Sequence, residues 1–448
     1  MEQKILLPLA IWAIIGSNFY DNVTADKFEE FQEHTQEVIV NCVHDVAPRF
    51  GKKICDCGYL NEDYIAPKFE GSTTEIEIAN CKSLRVRRDT FTGLFQLTLL
   101  TIINVENLVL EPHSLDFANN NPFALLKIYL TNTLIEEVPS HVIRGHIGEV
   151  TFTRCRVGTF RPYSITSISE QLESLKIVES FVNKIERHAF KRFDVNLLII
   201  EGSEFVAPIQ FQSLYEIDVL GRFVLSNSSL NYLLPGAFTM KNVTNFVITN
   251  SRFEQLSGDA FIMQIRNSVR MVENYFNRID YAAFRGITLD SSYFSRHSEK
   301  PFLLFHNNRL GHLEDASSLQ FSNDFNTQLR GIHIQQSINC KETTFLKSSL
   351  LSYHSDEIFF VSSENQFQSL HDIHSKQCSE DNFWMYLIIG VIVTSVVLVT
   401  IVLLISWYCV AQKRKHQKLN IVMPEPRTYR ETQIVMQIEN HGLLKTDL

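Results

Sequence analysis

The chain has 448 residues, 45% of them hydrophobic, with 41 Lys and Arg against 50 Asp and Glu, a formal net charge of −9. That length leaves room for two ordinary domains or for one long repeat array. The acidic balance gives no electrostatic basis for a nucleic-acid partner, and none is expected.

Residues 5–15 form an apolar stretch broken only by Pro8 and followed by the small residues Gly16 and Ser17. This reads as a secretory signal peptide, residues 1–19, cleaved between Gly16 and Tyr20. A buried N-terminal helix is the weaker reading, because Pro8 interrupts the run and the sequence turns acidic and polar after Ser17.

Residues 76–335 are periodic. Phe246, Ile248, Ser251, Phe253, Leu256 and Phe261 recur one period later as Val269, Met271, Asn274, Phe276, Ile279 and Phe284, and one period earlier as Phe223, Leu225, Ser228, Leu230, Leu233 and Phe238. The first copy begins at Ile76, Ile78 and Cys81, and the weakest lies at Leu198, Ile200, Ser203 and Phe205. Between Gly286 and Pro301 only Ile287, Leu289 and Phe294 fit, which reads as a shortened or irregular unit; the pattern recovers at Leu303, Phe305 and Asn308. About eleven units are expected, each giving one short strand and a returning segment, with the apolar slots stacked into a continuous core. The slot of Cys81, Cys155, Ser228, Ser251, Asn274 and Asn308 needs a small side chain that satisfies backbone groups at the turn.

This pattern resembles the leucine-rich repeat of extracellular single-pass (type I) transmembrane proteins. The resemblance implies an α/β solenoid: a leucine-rich-repeat horseshoe with a parallel concave sheet, disulfide caps, one transmembrane helix and a disordered tail. Residues 20–75 then form the amino-terminal cap region, since the spacing of Cys42, Cys55 and Cys57 is similar to that family's cap. Cys81 lies farther beyond Cys57 than the family's fourth cysteine does, and itself occupies a repeat slot, so the connectivity stays open. Residues 336–384 form the carboxyl cap and stalk, where Cys340 and Cys378 supply one bridge. Cys155 is expected as a small buried thiol rather than an intermolecular bridge. Cys409 sits at the inner membrane edge, where palmitoylation and a silent cysteine are both open.

Because side chains alternate along a strand, the residues between core positions face the concave side. In the first half these are Tyr129, Thr131, Thr151, Thr153, Arg154, Lys176 and Glu179, the candidate binding face. Glycosylation sequons occur at Asn22, Asn227 and Asn242. Asn227 is expected to project toward the concave side or its rim, where a glycan obstructs docking near the seventh unit and favours a site in the first six repeats.

Residues 385–410 carry no charge and suffice to span a hydrocarbon core as a helix. Trp384 and Tyr386 bracket one end and Trp407 and Tyr408 the other, and the basic cluster Lys413, Arg414, Lys415 and Lys418 follows. The positive-inside rule places residues 411–448 in the cytosol and predicts a type I protein of the plasma membrane. The tail, with seven basic and four acidic residues, is too short for a catalytic domain and is expected to be disordered. Glu439, Leu443 and Leu444 match an acidic dileucine signal for a clathrin adaptor. Thr446 and Leu448 match a PDZ-domain ligand, whose carboxylate is captured at a sheet edge.

The sequence contains none of the metalloprotease, nucleophile-elbow or phosphate-loop motifs, so neither an enzyme nor a metal or other cofactor is expected. The leading expectation is a recognition or adhesion receptor for an extracellular protein ligand or an apposed cell-surface protein. The alternatives are a trafficking or assembly subunit of another membrane protein and a surface-held structural matrix protein.

Overall fold

In a computed structural model, residues 38–44, 51–123, 125–169, 171–290, 292, 300–338, 349–361 and 366–419 are described. The signal peptide, Asn22, Phe294, Cys340 and the tail motifs Glu439, Leu443, Leu444, Thr446 and Leu448 lie outside them.

Each period of the sequence becomes three strand segments of one coil. In the coil starting at Phe261, residues 261–265 pair with residues 238–243, residues 268–272 with residues 245–249, and Tyr275–Ile279 with Arg252–Leu256, all in parallel. Inward and outward side chains alternate along each segment, as the two-residue period of a strand requires. Phe261, Met263, Ile265, Val269, Met271, Phe276 and Ile279 are buried, while Ile262, Arg270 and Asn277 are exposed. Repetition builds a parallel β-solenoid of about twelve coils. Its second column runs unbroken through twelve strands, from Lys52–Asp56 to Asn326–Arg330.

The turn from the second to the third column is made by a left-handed residue in every coil from Asn80 to Gly331. Asparagine recurs there, at Asn80, Asn104, Asn132, Asn227, Asn250 and Asn307, because its short amide tolerates this conformation; Gly202 and Gly331 meet the same need by lacking a Cβ. The next residue points inward and closes a polar ladder. The backbone N–H of Cys155 donates to Ser180 Oγ at 3.0 Å, that of Ser180 to Ser203 at 3.0 Å, and that of Ser203 to Ser228 at 3.1 Å. Ser228 donates to Ser251 at 3.3 Å, Ser251 to Asn274 Oδ1 at 2.9 Å, and Asn274 to Asn308 Oδ1 at 2.9 Å. Each coil thus satisfies the turn of the one before it. Rings stack beside the ladder, Phe253 on Phe276 at 4.9 Å and Phe223 on Phe246 at 5.1 Å, which accounts for much of the phenylalanine inside.

The structure corrects the expected α/β class. Returning segments such as Leu214–Ser226 and Phe238–Thr249 are strands, and the solenoid's helical pieces, including Ala316–Leu319 and Ser349–Tyr353, are short. A coil that turns three times within one such period leaves no room for a helix of several turns, and alternation such as Ile217, Val219 or Phe238, Met240 buries one strand face instead. The weak copy at Leu198 lies in full register with Leu175 and Phe223. The irregular stretch after Gly286 belongs to one enlarged coil, because Ile287–Leu289 pairs with residues 263–265 before Phe302–His306 resumes the second column.

Both ends of the stack are closed by antiparallel strands, which keep the terminal core and sheet edge from standing open. At the start, Cys42–His44 pairs with Lys52–Asp56, and disulfides join Cys42 to Cys55 and Cys57 to Cys81. At the other end, Ile358–Val361 lies parallel to Ile332–Ser337 and antiparallel to Phe367–Ser369. Residues 376–448 are a separate unit whose helix, Cys378–Leu419, includes Phe383–Lys415, long and apolar enough to cross a membrane.

Candidate recognition face

The outward side chains of the second column form rows across the coils. The middle row runs Glu77, Thr101, Tyr129, Thr151, Lys176, Ile199, Val224, Val247, Arg270, Leu304 and Gln328, each in register with the next. Tyr129, Thr151 and Lys176 therefore sit side by side, and Thr131 and Thr153 pair in the row beside them. Arg154 and Glu179 do not join them. Both are left-handed corner residues, at φ 51° and 48°, and stand at the rim.

Glu149, which the sequence reasoning missed, organises this region. It is 7% exposed, and its carboxylate accepts the Lys176 ammonium at 2.7 Å, the Tyr129 hydroxyl at 2.9 Å and the Thr151 hydroxyl at 3.4 Å, with Lys127 at 3.9 Å. Burial by itself raises a carboxyl's pKa, but the hydrogen bonds from Lys176 and Tyr129 outweigh it and hold Glu149 below the usual value. Burial and the bond to Glu149 push the Tyr129 phenol up to about 12. Strand alternation was the available signal, since Glu149 lies two residues before Thr151 on the same side.

Farther along the face the chemistry changes. Ile199, Val224 and Val247 form a half-buried aliphatic stretch in the middle row, flanked by Leu197 and Val178. Beyond it stand Arg270 and Arg330, both exposed, with His306 held below the ordinary imidazole range by burial and by those two guanidiniums. Among the described residues no group of three His, Cys, Asp or Glu side chains is placed to hold a metal.

Asn227 is an exposed corner residue at φ 50°, outside the strand rows, so a glycan there borders the face. Asn242 lies in the first column, where its amide donates to Asp218 at 2.7 Å and accepts from Arg266. Cys155 is 2% exposed and unpaired, its thiol pushed up to about 11 by burial. Cys409 is exposed on the apolar helix, and the side chain of Cys378 lies outside the description. No known protein family matches this sequence. No curated protein matches it either.

Proposed function

We propose that this chain is a cell-surface recognition or adhesion receptor of leucine-rich-repeat type, which binds an extracellular protein through the outward face of the second column. The observation that carries this reading is the change of character along one continuous face, from the bonded Tyr129–Glu149–Lys176 cluster through the aliphatic stretch to exposed arginines. A rigid parallel sheet holds these groups at fixed spacing, so little order is lost when a partner docks. Function belongs to the site rather than to the scaffold, and this face provides apolar area together with charge to set register.

The type I orientation at the plasma membrane rests on the basic cluster from Lys413 to Lys418 after the apolar helix. The tagged ectodomain, residues 20–375, applied to intact cells and captured with its neighbours by proximity labelling, is expected to enrich a surface protein. Arg270→Glu should reduce that enrichment. Equal labelling by the variant would remove this face from the reading.

A further inference from the structure

The face has opposite charge at its two ends. Glu75 and Glu77 stand on the second strand of the column; Glu77 pairs with Lys52 at 3.0 Å, and Glu75 has no ion-pair partner among the described residues. Arg270 and Arg330, on the tenth and twelfth strands, are exposed and likewise have no ion-pair partner among the described residues. The apolar groups are ordered to match. Leu99 and Ile103 lie one strand inside the acidic end, and Phe302, 48% exposed, and Leu304 lie one strand inside the basic end. Ile199 stands on the seventh strand, midway.

When the order of strands is reversed, the second meets the twelfth, the third the eleventh and the fourth the tenth. We propose that this face pairs with the same face of a second copy of the chain, antiparallel, about a two-fold axis through Ile199. Glu77 then meets Gln328 with Arg330 in the adjoining row, Leu99 meets Phe302, and Tyr129 meets Arg270, each contact made twice. The inference rests on the recognition reading above and names its partner.

A two-fold interface requires one self-complementary patch, with each contact returned by symmetry. The alternative two-fold, which keeps the order of strands and reverses their direction, sets Glu77 on Glu77 and the basic end on the basic end, and like charges reject it. Glu201 meets its own copy at the axis, but it is exposed on the edge row, where water and salt screen it. Strands ~4.8 Å apart give a face roughly 50 Å long and about 15 Å wide. The resulting area of about 800 Å² is what one partner contributes to a stable interface. Antiparallel pairing also sends the carboxyl ends of the two solenoids in opposite directions.

The test uses the full-length chain in detergent, with mass per particle read by light scattering. The wild type should hold two copies at low salt. The pair Arg270→Glu and Arg330→Glu should hold one, and so should the pair Glu75→Arg and Glu77→Arg. An equimolar mixture of the two variants should restore two copies, since both ends are then complementary again, and this rescue excludes misfolding as the cause. A single-copy wild type, reversals that remain paired, or a mixture that stays apart would overturn the proposal. If a single-copy wild type still binds cells that do not express it, recognition stands and only self-pairing falls. If it binds none, both fall.

Discussion

Glu149 sits among three donors, and its ionisation ties the face to pH. Removing its carboxylate leaves the Lys176 ammonium and the Tyr129 hydroxyl without their acceptor, and Glu149→Ala should cost about 2 kcal/mol in urea unfolding. The folded carboxyl titrates below its usual value, so its contribution is fully present above that value and is lost as pH falls through the folded pKa. The gap between wild type and Glu149→Gln should therefore close in acid. A gap independent of pH would dismiss the coupling. Cys155 permits a second residue-scale test: a buried thiol with its pKa pushed up to about 11 should react with thiol reagents only after unfolding, and rapid labelling of the native ectodomain would contradict its placement.

Among elements, the polar ladder joins each coil to the next, and its members differ in weight. Asn274 accepts from Ser251 and donates to the Ile248 carbonyl at 3.0 Å and to Asn308 Oδ1 at 3.1 Å, all in neighbouring coils, whereas Ser228 accepts one backbone bond from the neighbouring coil and donates only within its own turn, to the Ser226 carbonyl at 2.8 Å. Asn274→Leu should cost ~3 kcal/mol and Ser228→Ala about 1 kcal/mol, since each abandoned buried group adds its own penalty. Hydrogen exchange at Ser251 should quicken in the first variant; unchanged exchange would show that the ladder bond is not what protects that amide. The ladder slot was legible at Cys155, Ser228, Ser251, Asn274 and Asn308 because small or amide side chains recur there at one spacing. Its interruption at Val105, in register with Cys81 and Thr133, follows no local rule. The strands of the returning segments were harder to read, because four or five alternating residues before a turn resemble a short helical face as easily. Cys81 shows the same limit: its spacing fitted a repeat slot and a cap cysteine, and in the folded chain it fills both roles.

For the whole molecule, sequence pattern revealed the apolar helix and the repeat period, but not which residues share a face. Lys127, Glu149 and Lys176 come from three strands, and the gradient from Glu75 to Arg330 spans eleven, so only register brings them into one surface. Whether that surface is where recognition occurs is tested most directly by a glycan wedge, because Val247→Asn creates a sequon with Thr249 in the middle row, and Gln255→Asn creates one with Ser257 on the third column. Each variant ectodomain is checked for glycan occupancy by mass spectrometry and then measured for binding to intact cells. The glycan at position 247 should abolish binding and the glycan at 255 should leave it unchanged; undiminished binding with position 247 occupied would contradict recognition through this face.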